Sequence, residues 1–441
     1  MRARPNILLL VVDSLRGDLF GHRAAERPPT PFLDHFGDEA TRFTHAYASE
    51  CWTLPSHLSM FTGLLPSEHG AHFGGMGYRG RAPTIAEQLA GAGYRTELVT
   101  RNFVFDGSLP GVTRGFQQHT APLADVPAWH PVSLFLALAK PRFRRHVRAT
   151  GFFHPRHAES RRFLTRFARA LWPADERALE RVLAALVDAR RRRQPSFIFC
   201  NLYDVHAPYS PAPDSLLRPW TSWAGAAENL RFPRLMARLG ADAYLRQGFS
   251  MPPAGRDLLW QRYRDAVRLM DGKLAAFFAA ARAAGVLDET VVILTRDHGE
   301  AFGEHGLYLH DASVYDTHLH VPLWIRDPDL AATTVDDVVS TRALCGAMRA
   351  AAGLAERRDT ILDPCYRGRH PVAHAEHFHY RHLPDARPEL RHDLAATIGR
   401  EWKVVTRGAT TLRYDLARDP GEQQPQAAAD TRGGAAGGRA G

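Results

Sequence analysis

Apolar residues fall in short unbroken blocks separated by polar turns. Ile7–Val12 is a continuous apolar run, and Phe197–Leu202 and Val291–Thr295 are apolar runs broken only by Asn201 and the closing Thr295, the pattern of strands buried on both faces. Thr96–Thr100 and Val321–Ile325 predict two more strands. Between these blocks the period changes to that of a helix. Leu179, Val182, Leu183, Leu186 and Val187 lie on one face of a helix that runs into Arg190–Arg193, where arginines complement the negative end of the dipole. Leu259, Tyr263, Val267, Met270, Leu274 and Phe278 mark a long helix over about 257–284. Thr30-Pro31 reads as a helix start. Thr84-Ile85-Ala86-Glu87 is a capping box for a helix that stops near Gly93. In 49–63, Pro55 suits a first turn and Gly63 a helix end. Strand and helix alternate, which predicts a mostly parallel α/β core.

Three stretches break this rhythm. Residues 125–195 and 210–255 are rich in Arg, Pro, His and Trp and read as variable inserts, apart from the helix at 179–193. Past about 345 the pattern shifts to a Gly/Ala-rich helix end at 346–354 and short strand-like pieces at Pro371–Ala373, Trp402–Thr406 and Thr410–Tyr414. From Gly421 to Gly441 almost nothing large and apolar remains, so a disordered tail is expected. The division that follows is a main domain over 1–345, a small α+β subdomain over 346–420 and a tail over 421–441.

The candidate chemistry sits where the apolar runs stop. Ile7–Val12 ends in Asp13, Phe197–Leu202 in Asp204 and His206, and Val291–Thr295 in Asp297 and His298. In open parallel sheets sites form beyond the carboxyl ends of strands, so the repetition argues for one shared site. Thr53 stands at or just before a helix N-terminus, where free N–H groups and the dipole favour an oxyanion. Two readings of it stand: a plain N-cap, or a reacting hydroxyl.

Composition is ordinary for a globular chain, 45% hydrophobic and 23% charged over 441 residues. The net charge of +9 invites a nucleic-acid reading. Only Lys140, Lys273 and Lys403 among the 56 basic residues are lysine. With so much alanine, that bias points to a GC-rich genome, and no nucleic-acid motif accompanies it. Cys51, Cys200, Cys345 and Cys365 lack zinc-site or CxxC spacing. Residues 7–12 are too short for a signal-peptide core, and no stretch is long enough to span a membrane. Residues 132–139 read as a core helix, with a membrane-surface helix as the alternative. A reducing, cytoplasmic location is expected.

Five motifs in fixed order resemble the sulfatase family of the alkaline phosphatase superfamily. They are Pro5-Asn6-Ile7 through Asp13-Ser14-Leu15-Arg16, Thr53-Leu54-Pro55-Ser56-His57 with Thr62-Gly63, and Tyr203-Asp204-Val205-His206-Ala207-Pro208-Tyr209. Then come Asp297-His298-Gly299-Glu300 with Gly303-Glu304-His305-Gly306, and His310 with Tyr315 and His320-Val321-Pro322. The resemblance spans 5–325 with a gap at 120–195 and reappears over 402–422 in Leu412-Arg413-Tyr414-Asp415-Leu416 and Asp419-Pro420. It implies an alkaline-phosphatase-like three-layer sandwich around a mostly parallel sheet. It also implies a metal-dependent transfer of a sulfuryl or phosphoryl group through a covalent enzyme ester. By position, Asp13, Thr53, Asp297 and His298 would hold the metal, and Thr53 would be the nucleophile. His206 and His310 would assist catalysis, and Arg101, His57 and His320 would bind substrate.

The departures shape the chemistry. Family sulfatases convert a Cys or Ser to formylglycine, two residues before a Pro and four before an Arg. Here Thr53 holds that position and His57 the place of the Arg. Cys51 has Thr53, not Pro, two residues on. No formylglycine is therefore expected. Ser14 replaces a second ligand Asp, and His298 stands where Asn is common. Two carboxylates, a hydroxyl and an imidazole favour one zinc or manganese ion, with calcium the alternative. Asp204 is either a ligand to a second metal or, the preferred reading, a loop hydrogen-bonder. The unmodified Thr favours a phosphoester or phosphodiester, on a small or polymeric anionic substrate. The alternatives are a phosphoryl-group transferase acting on an alcohol, as in envelope or polysaccharide modification, and an inactive anion-binding protein.

Overall fold

The computed structural model describes residues 4–20, 29–72, 75–121, 175–207, 209, 235, 239, 249, 251–310, 312–363, 372–379 and 387–427. Eight strands form the main sheet: β1 (Asn6–Val12), β2 (Thr41–Tyr47), β3 (Arg95–Thr100), β4 (Gln118–Thr120), β5 (Ser196–Leu202), β6 (Thr290–Thr295), β9 (His320–Arg326) and β10 (Thr334–Ser340). Their order is β10-β2-β9-β6-β1-β5-β3-β4. Every neighbouring pair is parallel except those of β9, which runs antiparallel to both β2 and β6. The ribbon β7 (Ala301–Phe302) and β8 (Tyr308–Leu309) lies apart from the sheet.

The central strands β1, β5 and β6 are buried at every position, as their largely apolar sequences require. Their side chains alternate between two cores. Ile7, Leu9 and Val11 pack with helices α2 (Thr53–Thr62), α4 (Ile85–Gly91) and α8 (Ala343–Ala351). Leu8, Leu10 and Val12 pack on the other face with α1 (Pro31–Phe36), α5 (Asp175–Arg192) and α6 (Pro253–Ala283). Two short helices complete the set among the described residues, α3 (Pro66–His69) and α7 (Asp316–Leu319). The result is a three-layer α/β/α sandwich. A second sheet, β11 (Ala373–His377), β12 (Leu394–Ile398), β13 (Trp402–Arg407), β14 (Thr410–Asp415) and β15 (Gln426–Ala427), is wholly antiparallel. Its Ala375, Ile398 and Tyr414 join the same core as α2 and α8.

Local signals are realised unevenly. The Thr84 capping box forms: Thr84 Oγ1 accepts from Glu87 N at 3.2 Å, and Glu87 Oε2 accepts from Thr84 N at 2.9 Å. Gly63 ends α2 in the left-handed region, at φ 77°. Thr30 differs from expectation. Its hydroxyl goes to the Leu19 carbonyl, and Asp271 of α6 accepts from the N–H groups of Phe32 and Leu33 instead. The first strand of the second sheet, β11, begins at Ala373, where the piece expected over Pro371–Ala373 ends. Chain expected as tail still carries structure to Ala427, and Glu422 is buried against Lys403 at 2.7 Å. Residues 132–139, and most of both inserts, lie outside the described residues. Among the described residues, no helix is long and apolar enough to cross a membrane.

Candidate active site and metal centre

Neighbouring strands β1 and β6 both stop at the same edge of the sheet, and their next residues meet. Asp13 still pairs through its N–H to the Leu202 carbonyl at 2.9 Å. Asp297 and His298 follow β6, and α2 points its N-terminus at them. Trp52, not Thr53, is the N-cap, and no side chain caps the helix. Thr53 is the first helical residue, so its hydroxyl is left for other work. Thr53 Oγ1 stands 3.4 Å from His298 Nε2. Ser56, one turn on, donates to the Asp297 carbonyl at 2.7 Å and pins the helix to the loop.

Asp13, Asp297 and His298 bring one ligand atom each within 4.8 Å of one another, and all three are buried. His298 Nε2 lies 3.3 Å from Asp297 Oδ2 and 3.9 Å from Asp13 Oδ1. Its Nδ1 faces the Gly299 carbonyl at 3.0 Å. That bond puts the proton on Nδ1 and leaves the Nε2 lone pair facing the carboxylates. Thr53 retains 5% exposure where the three donors have none, so the hydroxyl is the member of the set nearest the outside.

Polar groups hold the carboxylates in place. Asp13 accepts from Ser14 Oγ at 3.0 Å, Asn102 Nδ2 at 3.1 Å and Asn201 Nδ2 at 3.4 Å. Asp297 Oδ1 accepts from the N–H of His298 at 2.9 Å and of Ser14 at 3.3 Å. Ser14 reaches this position with φ at 61°, a left-handed conformation that a non-glycine residue adopts at a cost.

The electrostatics of the cluster suit a cation. Neither carboxylate has an arginine or lysine partner among the described residues, and Asp297 Oδ2 has no hydrogen-bond partner there. Burial, then the nearby Asp297, pushes Asp13 well above the usual carboxylate range. Burial likewise pushes Asp297 up to about 6. Burial and the neighbouring His310 hold His298 well below its ordinary value. Two carboxylates, a neutral imidazole and a hydroxyl are a fitting donor set for a divalent ion.

The expected catalytic histidines join this centre. His310 lies with its ring centroid 4.4 Å from that of His298 and 5.0 Å from that of His206. Glu300 Oε1 holds His310 Nδ1 at 3.2 Å. His206 stacks on Tyr203 at 4.3 Å, and its Nδ1 donates to the Ala207 carbonyl at 2.6 Å. Burial, followed by His310, keeps His206 well below its ordinary value.

The three expected substrate contacts are placed differently. Arg101 is buried, its Nε on Asp175 Oδ1 at 3.1 Å and its Nη2 on Asp204. Burial opposes its charge, and the two carboxylates outweigh that and raise its pKa. Lys273 of α6 takes the other oxygen of Asp204 at 2.8 Å. Asp175 also accepts from the N–H groups of Tyr203 and Asp204, both at 2.7 Å. Arg101 thus anchors the loop that presents His206, and Asp204 is an ion-paired anchor. His57 is fully buried among Phe61, Phe105 and Phe199. Its Nδ1 meets the Thr53 carbonyl at 2.8 Å and lies 3.6 Å from Asp297 Oδ2, so it backs the donor cluster from the core side. His320 packs beside Tyr47 with Nε2 on the Thr44 carbonyl at 2.8 Å, locking β9 to β2.

Sequence reasoning missed Asn102, Asn201, Ser56 and Lys273. Asn102 follows the strand Thr96–Thr100 and could have been found by the strand-end rule that found Asp13. Ser56 lies inside the Thr53–His57 motif but was given no role there, and Asn201 and Lys273 carry no local signal.

Comparison with known proteins gives this centre a context. The profile of the family described as Sulfatase matches residues 5–354. An arylsulfatase of Clostridium perfringens (strain 13 / Type A) is 22% identical over 363 residues, covering 74% of this chain and 69% of the relative. A choline-sulfatase of Rhizobium meliloti (strain 1021) is 24% identical over 346 residues, covering 74% and 64%. The chain thus spans about two thirds of the length of these curated relatives. Among solved structures, a phosphonate monoester hydrolase of Agrobacterium radiobacter superposes with a TM-score of 0.66 at 20% identity, over 96% of this chain and 91% of that one. A phosphonate monoester hydrolase from Silicibacter pomeroyi gives 0.63 at 18% identity, over 94% and 92%.

Proposed function

The chain belongs to the sulfatase family, and from that premise we propose that it is a divalent-metal-dependent hydrolase of sulfuric or phosphoric esters whose nucleophile is unmodified Thr53. The observation that carries this is the placement of Thr53 Oγ1 beside His298, at a helix N-terminus facing the donor cluster of Asp13, Asp297 and His298. These residues and Thr53 would hold the ion. When bound, a zinc-class ion lowers the pKa of a hydroxyl and offsets substrate charge.

The chain's own residues divide the rest of the work. The first N–H groups of α2 have no intrahelical partner and, with the dipole, favour the anionic oxygens of the ester. Thr53 gives up its hydroxyl proton to solvent, and its Oγ1 forms a bond to sulfur or phosphorus in line with the departing oxygen, whose bond breaks. His310, oriented by Glu300, gives that oxygen its proton. In the second half water attacks, the bond to Thr53 breaks, the same imidazole takes the water's proton, and Thr53 Oγ1 regains its proton from solvent. His206 is held by Tyr203 and the Arg101–Asp204–Lys273 anchor to contact the ester oxygens. A hydroxyl nucleophile returns to its starting state only by a second displacement, which suits phosphoesters and phosphodiesters. The structural relatives named as phosphonate monoester hydrolases make phosphonate monoesters a further substrate to assay.

The test is a side-by-side assay of aryl sulfate, aryl phosphate, aryl phosphodiester and aryl phosphonate monoester. Metal-depleted protein is reloaded with zinc, manganese or calcium. Turnover of a phosphorus ester, restored by zinc or manganese, and reduced at least ~10³-fold in Thr53→Ala is expected. Turnover of the sulfate alone would sink the phosphoester preference, and full activity in Thr53→Ala would sink the nucleophile.

A further inference from the structure

Outside the catalytic cluster, the described residues hold one other group of buried metal-ligating side chains: Glu50, Cys51 and His377. The first two lie in the loop from β2 to α2, and His377 ends β11 of the second sheet, 326 residues further on from Cys51. Cys51 Sγ lies 3.2 Å from Glu50 Oε1 and 3.4 Å from His377 Nδ1. His377 Nδ1 lies 2.9 Å from Glu50 Oε1. A backbone bond from Glu376 N to the Ser49 carbonyl, 2.9 Å, fixes the strand against the loop. Glu50 and Cys51 are fully buried and His377 is 3% exposed. The second carboxylate oxygen, Glu50 Oε2, is buried and has no hydrogen-bond partner among the described residues.

We propose that Glu50, Cys51 and His377 form a second, structural metal site for a zinc-class divalent cation, which staples the nucleophile turn to the C-terminal sheet. One sulfur, one imidazole nitrogen and one carboxylate are a borderline-soft donor set that suits zinc. Around such an ion neighbouring donors sit about 3.3–3.8 Å apart, so the three atoms need to spread by only a few tenths of an ångström. The otherwise unpaired oxygen of Glu50 gains a partner as the carboxylate turns onto the ion. On binding, Cys51 gives up its thiol proton to solvent. The Nδ1 proton that His377 shares with Glu50 is replaced by one on Nε2, so the imidazole stays neutral and one proton is released per ion. Nothing is oxidised or reduced.

The test uses the full chain, stripped with a chelator and titrated with cobalt(II) or zinc. Cobalt in the wild type is expected to give a near-ultraviolet thiolate-to-metal charge-transfer band. The band should persist in Asp297→Asn, which alters only the catalytic cluster, and vanish in both Cys51→Ser and His377→Gln. Zinc content should fall by about one equivalent per chain in each of the latter. A wild type without the band, or a band that survives either substitution, overturns the site. Should both variants fail to fold, zinc X-ray absorption on the wild type decides: a sulfur shell at about 2.3 Å supports the site, and its absence refutes it. None of these readouts depends on turnover.

Discussion

Asp13 shows what a single residue needs beyond being in the right place. Its Oδ2 rests on Asn102 Nδ2 at 3.1 Å and Asn201 Nδ2 at 3.4 Å. Outer partners of this kind fix the lone pairs that a ligand presents. Asn102→Ala is expected to weaken metal binding about 10–100-fold while leaving the fold intact, as isothermal titration of the stripped protein will read. His69 gives a separate prediction. Its Nδ1 accepts from the Ala71 N–H at 3.1 Å, and its Nε2 meets the Pro55 carbonyl at 3.2 Å. A second proton would face the Ala71 N–H, and burial lowers its pKa to about 4. The unfolded chain then binds the proton more readily between about 6.5 and 4, so stability falls as pH drops through that window. The contribution is at most about 3 kcal/mol, and urea titrations at neutral and acid pH should show a shallower pH slope in His69→Gln. Asp13, Asp297 and His298 were legible because each follows an apolar run or lies in a fixed motif. Asn201 was hidden inside such a run. Arg101 was expected as a substrate contact from its position along the chain, and its ion pair with Asp175 carried no signal because Asp175 lies 74 residues away.

The helix α2 is buried at nine of its ten positions, so it serves as a rigid mount rather than a surface element. Its end depends on Gly63, where φ is 77°. A β-carbon there would meet Cys345 at an ordinary 3.6 Å, so the cost is backbone strain alone. Gly63→Ala is expected to destabilise the chain by about 1 kcal/mol, measured by urea unfolding. Strands were legible in proportion to their burial. β1, β5 and β6, covered on both faces, appear as apolar runs with few polar interruptions. β2 and β10 were missed because both are laced with polar residues, and their registers shift between Phe43 and Ala46 and between Val335 and Val338. A shifted register breaks the two-residue alternation that would have marked them.

Across the whole molecule, the second sheet is bound to the first by core packing and by a buried ion cluster. Lys403 of β13 donates to the Val314 carbonyl at 3.0 Å, to Asp316 at the start of α7, and to Glu422 at 2.7 Å. Lys403→Met leaves two carboxylates facing each other without their cation. It should destabilise the protein by roughly 3–5 kcal/mol, and limited proteolysis should release the C-terminal segment first. Composition hid this contact: Gly421 onward reads as tail because Glu422 looks like any solvated acid until Lys403 is placed opposite it. The position of β2 has a consequence in time. Its only sheet neighbours are β9 and β10, which begin at His320 and Thr334. A nascent chain stalled just before His320 already contains Asp13, Thr53, Asp297, His298 and His310, yet has neither strand that flanks β2. The mount for the nucleophile is therefore secured only after everything it must face has left the ribosome, and the centre assembles late in synthesis rather than piece by piece.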